Sequence, residues 1–281
     1  MPSEITVKTA LSEASARLSG CSDSPHLDAE ILLSHTLGVS RFELLTESGR
    51  LLEGEVCSRF RSFVERRAKA EPVAYITKSR DFFEDTFYVD ERVLVPRPES
   101  EFVVETALKL LQHTEKPEVL DMCCGSGCIG LSVLRVIPCG LTLADISASA
   151  LEVAKINAER LFPSGQAVNF VKSDLFSEIP GDFDLITANP PYLSAEDMAE
   201  FVNGALEYEP ENALFGGETG FEFTERLING AEKHLKPGGF LVAELGYGGE
   251  KYAKEKKYRL KLAEIVNDYA GIGRVAVFGR D

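Results

Sequence analysis

Apolar residues recur along the chain with two periods, and the change from one to the other divides it. Through residues 1–72 the spacing is helical. In Asp28-Ala29-Glu30-Ile31-Leu32-Leu33-Ser34-His35-Thr36-Leu37 the apolar positions fall three and four apart, Ser24-Pro25 supplies a cap and a first turn, and Gly38 supplies a stop. A second amphipathic stretch from about Val56 to Ala70 carries Arg59, Arg61, Arg66, Arg67 and Lys69 against Glu65 alone; it reads as a solvated helix face or as a docking surface for an acidic partner. Residues 73–95 change character. Tyr75, Ile76, Phe82, Phe83, Phe87, Tyr88 and Val89 are β-formers broken by charged turn residues, which predicts a β-hairpin linker. Pro96 and Pro98 mark the next boundary.

Beyond it, strand and helix patterns alternate. Strands are expected over 118–121, 141–144, 168–171, 183–188 and 240–244, helices over 128–137, 147–161 and 220–234. Two more strands flank Ala270-Gly271-Ile272-Gly273. This alternation predicts an α/β fold with a mostly parallel seven-stranded sheet, helices on both faces and a closing antiparallel edge. The expected organisation is a small N-terminal helical domain over 1–72, a β-hairpin linker over 73–95 and a main domain over 96–281.

The formal net charge is −15 over 281 residues, with 12 Lys and Arg against 16 Asp and Glu up to residue 95 and 18 against 29 after it. That balance disfavours direct nucleic-acid binding, which draws on a surplus of cations. The N-terminus does not read as a signal peptide, and no apolar run approaches the ~20 residues of a membrane span, so a cytoplasmic protein that does not enter membranes is expected. Six cysteines occur, at 21, 57, 123, 124, 128 and 139, without a Cys-x-x-Cys pair. They are expected to be reduced thiols, and no metal site is expected.

The candidate chemistry sits after strands. Asp121-Met122-Cys123-Cys124-Gly125-Ser126-Gly127-Cys128 is a glycine-rich turn between a strand and a helix, where backbone and ligand can approach closely and helix N–H groups lie open. It lacks the Gly-Lys-Ser/Thr of a P-loop and the glycine spacing of a dinucleotide site. Asp145, at the end of the next strand and 24 residues after Asp121, suits the two vicinal hydroxyls of a ribose. Asp174 and Leu175, after the third strand, could border an adenine. Together they point to S-adenosyl-L-methionine. Asn189-Pro190-Pro191-Tyr192 follows the fourth strand. A planar amide or amino nitrogen carries two N–H donors in one plane. The Asn189 side-chain oxygen can accept one and the Pro190 carbonyl the other. Pro190 and Pro191 stiffen the shelf, and Tyr192 can pack flat on the planar group.

With these motifs the sequence resembles the PrmC/HemK family of release factor protein-(glutamine-N5) methyltransferases, along nearly its whole length. Asp28-Ala29-Glu30-Ile31-Leu32-Leu33, Glu71-Pro72-Val73-Ala74-Tyr75-Ile76, Val95-Pro96-Arg97-Pro98-Glu99-Ser100-Glu101, Glu207-Tyr208-Glu209-Pro210 and Asp268-Tyr269-Ala270-Gly271 look like further family segments. The resemblance implies a Rossmann-like class I methyltransferase fold and, in the N-terminal domain, a docking element for the substrate. The implied reaction is methylation of the glutamine of a Gly-Gly-Gln motif in class I peptide chain release factors; a monomer is expected. By the same resemblance Cys123, Cys124, Gly125, Ser126, Gly127, Asp145, Asp174, Leu175 and Asn189 line the cofactor. Asn189, Pro190, Pro191 and Tyr192 would hold the glutamine, with Asn189, Pro190 and Tyr192 as the catalytic set. Cys123 and Cys124 stand where the family usually has glycine and threonine. The alternatives are a ribosomal protein glutamine methyltransferase, which shares the clamp, an adenine N6 nucleic-acid methyltransferase, whose target is also a planar amino group, and a silent binding protein that keeps the fold.

Overall fold

The computed structural model describes residues 5–202 and 204–281. They form two compact units, one running up to Ser79 and including Val202–Tyr208, the other comprising Arg80–Phe201 and Glu209–Asp281.

In the smaller unit, β1 (Ile5–Thr6), α1 (Val7–Leu18), α2 (Pro25–Leu37), α3 (Arg41–Thr46), β2 (Leu51–Leu52), α4 (Gly54–Arg67) and α5 (Val73–Thr77) follow one another, and β1 pairs with β2. The boundaries have local causes. The Thr6 hydroxyl accepts the Thr9 amide at 3.2 Å to start α1. Pro25 opens α2 and Gly38 ends it at φ +69°. Ser40 and Glu43 form a reciprocal capping box on α3. Leu11, Leu18, Leu32, Leu33, Phe60 and Val64 share one core. The basic run on α4 is tied up inside this unit. Arg59 donates to the Thr36 carbonyl, Arg66 pairs with Glu71 at 2.5 Å and Arg67 with Asp28 at 2.7 Å. These three cations hold their own chain together, while Arg61 and Lys69 stay exposed in the same run.

Residues 73–77 are helical, although their composition favours a strand. Tyr75 and Ile76 are buried, and Ile76 joins the core of Phe60 and Val64. β propensity measures fit to a pleated surface, and packing against helices overrides it here. Lys78 at φ +56° then turns the chain out of the helix.

In the larger unit the hairpin is short, β3 (Arg80–Phe82) against β4 (Asp85–Phe87). It is followed by α6 (Glu101–Leu111), β5 (Glu118–Met122), α7 (Cys128–Val136), β6 (Gly140–Asp145), α8 (Ala148–Leu161), β7 (Val168–Lys172), β8 (Phe183–Ala188) and α9 (Ala195–Phe201). Then come α10 (Glu222–Ala231), β9 (Leu235–Glu244), α11 (Gly249–Glu255), β10 (Lys261–Asn267) and β11 (Gly273–Gly279). The seven-stranded sheet has the order β10-β11-β9-β8-β5-β6-β7. Alternate residues of β5 enter opposite cores, Val119 beside Leu131 and Leu143, Leu120 beside Leu227 and Leu241.

The antiparallel strand is β11, which lies one place in from the edge, paired with both β9 and β10. The sequence of the two strands explains this. Val275, Ala276, Val277 and Phe278 are all buried, as an interior strand requires, whereas β10 exposes Lys261 and Glu264. From β5 the chain moves outward through β6 and β7, then returns to β8 on the other side. The crevice at the carboxyl ends of β5 and β8 is therefore where an open α/β sheet binds its ligand. Among the described residues no helix is long and apolar enough to cross a membrane.

Candidate active site

Between β5 and α7 the backbone takes positive φ at Cys123 (+57°), Gly125 (+52°) and Gly127 (+79°). The two glycines serve different ends. A Cβ on Gly127 would lie 3.1 Å from Leu131 and Leu143, so this residue lets α7 pack on β6. A Cβ on Gly125 would meet nothing within 4 Å, so this residue leaves open space for a ligand. Cys123 adopts the left-handed conformation that glycine tolerates without penalty. Cys123→Gly is therefore expected to stabilise the protein by about 1 kcal/mol, read by chemical denaturation, without loss of cofactor affinity.

Two carboxylates frame the loop. Asp121 is buried: its Oδ2 accepts the Gly130 amide at 3.0 Å and its Oδ1 the Thr187 hydroxyl at 2.8 Å. Burial pushes this carboxyl up to about 7. It welds β5 to β8 and α7, a structural task. Asp145 faces the loop instead. Its Oδ2 accepts the Gly125 amide at 2.9 Å and its Oδ1 the Ser147 amide at 2.8 Å. Each oxygen keeps a lone pair for a further donor. Burial, reinforced by Asp145 and Asp121, holds the Cys123 and Cys124 thiols well above their ordinary range, and burial pushes Cys128 up to about 12. These cysteines are protonated and poor nucleophiles.

The tetrapeptide after β8 is built into a polar chain. Asn189 Nδ2 donates to Ser100 Oγ at 3.1 Å, Ser100 Oγ donates to Glu244 Oε2 at 2.6 Å, and the Tyr192 hydroxyl reaches Glu244 Oε1 at 3.4 Å. Glycines make room behind it. A Cβ on Gly216 would stand 2.6 Å from the Pro191 carbonyl, and one on Gly246 2.8 Å from the Tyr192 ring.

A cavity of about 860 Å³, open mouth included, unites these parts. It is lined by Cys123, Cys124, Gly125, Ser126, Asp145, Asp174, Leu175, Asn189 and Pro191. Gly127, Pro190 and Tyr192 are not among its lining residues: Gly127 caps α7, Pro190 is buried and the Tyr192 ring lies against Gly246. Asp174 is exposed and pairs with Arg226 at 3.1 Å. Leu175 is buried at φ +49°. The shape and chemistry fit a nucleoside with a cationic sulfonium tail: an open-sided glycine, a carboxylate for the ribose, and an apolar wall of Leu175, Ile146 and Phe223. Among the described residues no group of three or more His, Cys, Asp or Glu side chains is placed to hold a metal.

Residue-by-residue reading missed several members of this site. Ser100 lines the cavity, as do Arg92, Asn212 and Phe223. Asn157, buried on α8, binds the Ser126 carbonyl at 2.9 Å and exchanges hydrogen bonds with the Tyr88 backbone, fastening the loop to the chain after the hairpin. Arg92 donates to Asp90 at 2.7 Å; although burial opposes it, Arg92 and the Tyr88 hydroxyl draw that carboxyl down to about 2. Arg97 pairs with Glu209 at 2.5 Å, and the other Glu209 oxygen accepts the Val95 amide at 3.3 Å. This contact joins two of the segments that carried the family resemblance. Because the Glu209 side chain is only 2% exposed, Arg97→Ala leaves a buried charge unpaired, and a loss of about 2–3 kcal/mol in unfolding free energy is expected.

The sheet order and the site at its carboxyl edge define a Rossmann-like class I methyltransferase. The same fold is found at TM-score 0.53 and 15% identity in the human METTL16 catalytic domain (83% of this chain, 84% of that one). The ribosomal protein L11 methylase of Lactobacillus delbrueckii subsp. bulgaricus has it at TM-score 0.50 and 16% identity (72% and 90%). Residues 9–77 match the PrmC N-terminal domain family and residues 102–217 the methyltransferase small domain family. The release factor glutamine methyltransferase of Rhodopirellula baltica is 39% identical over 264 residues, 90% of this chain and 89% of that one. That of Koribacter versatilis is 37% identical over 277 residues, 97% and 98%. The chain belongs to the release factor glutamine methyltransferase family.

Proposed function

We propose that the chain transfers the methyl group of S-adenosyl-L-methionine to the side-chain amide nitrogen, N5, of the glutamine in the Gly-Gly-Gln motif of class I peptide chain release factors. The observation that carries this reading is the placement of Asn189. It lines the same cavity as Gly125 and Asp145, with its Nδ2 already engaged by Ser100, so its Oδ1 is the atom left to accept.

The cofactor, when bound, supplies an electrophilic methyl carbon. The chain supplies position. Asp145 accepts from the ribose hydroxyls while its bonds to Gly125 and Ser147 hold it still. Leu175, with Asp174 at the rim, borders the adenine, and residues 123–126 form the floor. Asn189 Oδ1 takes one N–H of the glutamine amide and the Pro190 carbonyl takes the other. Pro191 keeps the shelf rigid and Tyr192 braces it from behind. With both N–H groups held in one plane, the nitrogen lone pair is turned toward the methyl, and orientation of this kind removes several kcal/mol of barrier. A strong base before attack is unnecessary, because the nitrogen becomes acidic as it gains the methyl; the carbon–sulfur bond breaks to leave a neutral thioether, and one of the two amide hydrogens departs as a proton to solvent at the open mouth of the cavity.

In the same reading residues 1–72 dock the release factor, residues 73–95 link, and residues 96–281 carry the transfer. The protein works in the cytoplasm as a monomer, on a protein and not on nucleic acid, in keeping with its net charge of −15. Peptide mapping of a release factor incubated with the enzyme and cofactor is expected to find one added methyl, on the glutamine of the Gly-Gly-Gln peptide. A methyl on any other residue contradicts the assignment.

A further inference from the structure

A hydrogen-bonded chain runs from the cavity into the buried end of β9: Asn189 Nδ2 to Ser100 Oγ at 3.1 Å, then Ser100 Oγ to Glu244 Oε2 at 2.6 Å. Its direction follows from the groups themselves. An ionised carboxylate only accepts, so the single hydroxyl proton of Ser100 goes to Glu244. The Ser100 oxygen is left with lone pairs alone and must take a donor from Asn189. Only the NH2 end of that amide donates. The two ends of an asparagine amide are nearly equal in shape, so packing does not choose between them and the hydrogen-bond network does.

We propose that Ser100 and Glu244 are positioning residues that hold the Asn189 amide with its oxygen toward the substrate, and so set the site to accept from a nitrogen that carries hydrogens. The proposal rests on the methyl-transfer reading above and adds what makes Asn189 present an oxygen. Both residues are 2% exposed, so bulk water does not compete for either hydrogen bond. They come from separate elements, the turn Pro98–Ser100 ahead of α6 and the last residue of β9, which fixes the two ends of the relay independently. A reversed relay would turn an NH2 group toward the NH2 of the substrate, two donors facing each other.

The state of Glu244 sets the direction. Burial pushes this carboxyl up to about 7, against the hydrogen bond from Ser100; Glu99 adds to the push, while Arg274 and the Tyr192 hydroxyl oppose it. Once protonated, the acid can donate to Ser100, and Ser100 can then donate to Asn189. Methyl transfer therefore rises as pH climbs through about 7 and Glu244 ionises. Glu244→Gln keeps the shape but can donate at every pH, so it removes that rise.

The test is steady-state methyl transfer to a release factor across this pH range, with calorimetric cofactor affinity measured beside it. Ser100→Ala is expected to lower kcat roughly 100-fold while cofactor affinity stays within about threefold. Ser100→Thr, which keeps the hydroxyl, regains most of the rate, and Glu244→Gln, which no longer titrates, gives a flat profile. If Ser100→Ala does not fold, the flattened profile of Glu244→Gln carries the test. Full activity in Ser100→Ala, a loss that Ser100→Thr does not restore, or a Glu244→Gln enzyme that keeps the rise overturns the relay while leaving the function in place. A wild-type enzyme that methylates no release factor overturns the function itself.

Discussion

Asn189→Ala is expected to reduce methyl transfer by about 10³-fold while cofactor affinity changes little. The substitution removes the side-chain acceptor that the tetrapeptide presents to the cavity, beside Pro191. The glutamine amide is a weak nucleophile, so a site that no longer fixes its plane loses most of the gain from orientation. The effect should fall on kcat, because the remaining contacts with the release factor are untouched. The cofactor's main contacts, through Asp145 and the glycine loop, lie elsewhere in the cavity. Single-turnover transfer with calorimetry in parallel checks this; turnover near the wild-type rate would remove Asn189 from the reaction.

Asp145→Ala is expected to have the second largest effect, and on a different quantity. Cofactor affinity should weaken by roughly 100-fold, since two ribose hydroxyls lose a charged acceptor. The same carboxylate holds the Gly125 and Ser147 amides, so its removal also loosens the loop and the first turn of α8. A fall of about 5 °C in Tm should accompany the lost affinity. Asp174→Ala provides the contrast. Its side chain is half exposed and paired with Arg226 on the surface, so its effect on stability should be small. Unchanged affinity in Asp145→Ala would refute the ribose contact.

Much of this site is legible in sequence because it is local. Asp145 ends β6, Asn189 follows directly on β8, Gly125 and Gly127 lie in the turn between β5 and α7, and the topology of a parallel sheet brings strand ends together without further instruction. What escapes a linear reading is what depends on partners far away in the chain. Ser100 is 89 residues from Asn189 and 144 from Glu244, and spacing conveys nothing about such a meeting. Asn157 looks like an ordinary polar position on a helix until Tyr88 and Ser126 arrive on either side of it. The helix over residues 73–77 is decided by the core it joins, not by its own β-forming side chains. Residues 101–111 do carry a helical pattern in Val103, Val104, Ala107 and Leu111, but Ser100 makes no side-chain cap, so the start is unmarked. The helix over 249–255 is short and opens on Gly248-Gly249, which are weak helix formers. The partners of Arg59, Arg66 and Arg67 in the basic run over residues 56–70 are equally invisible in a linear reading, because Asp28, Glu71 and the Thr36 carbonyl come within reach only after folding.

The central claim is tested most directly by transfer of labelled methyl from S-adenosyl-L-methionine to a purified class I release factor, beside its Gly-Gly-Gln→Gly-Gly-Ala form and duplex DNA. Label on the wild-type factor alone is the predicted result. Label on the DNA, or on none of the three, would contradict it.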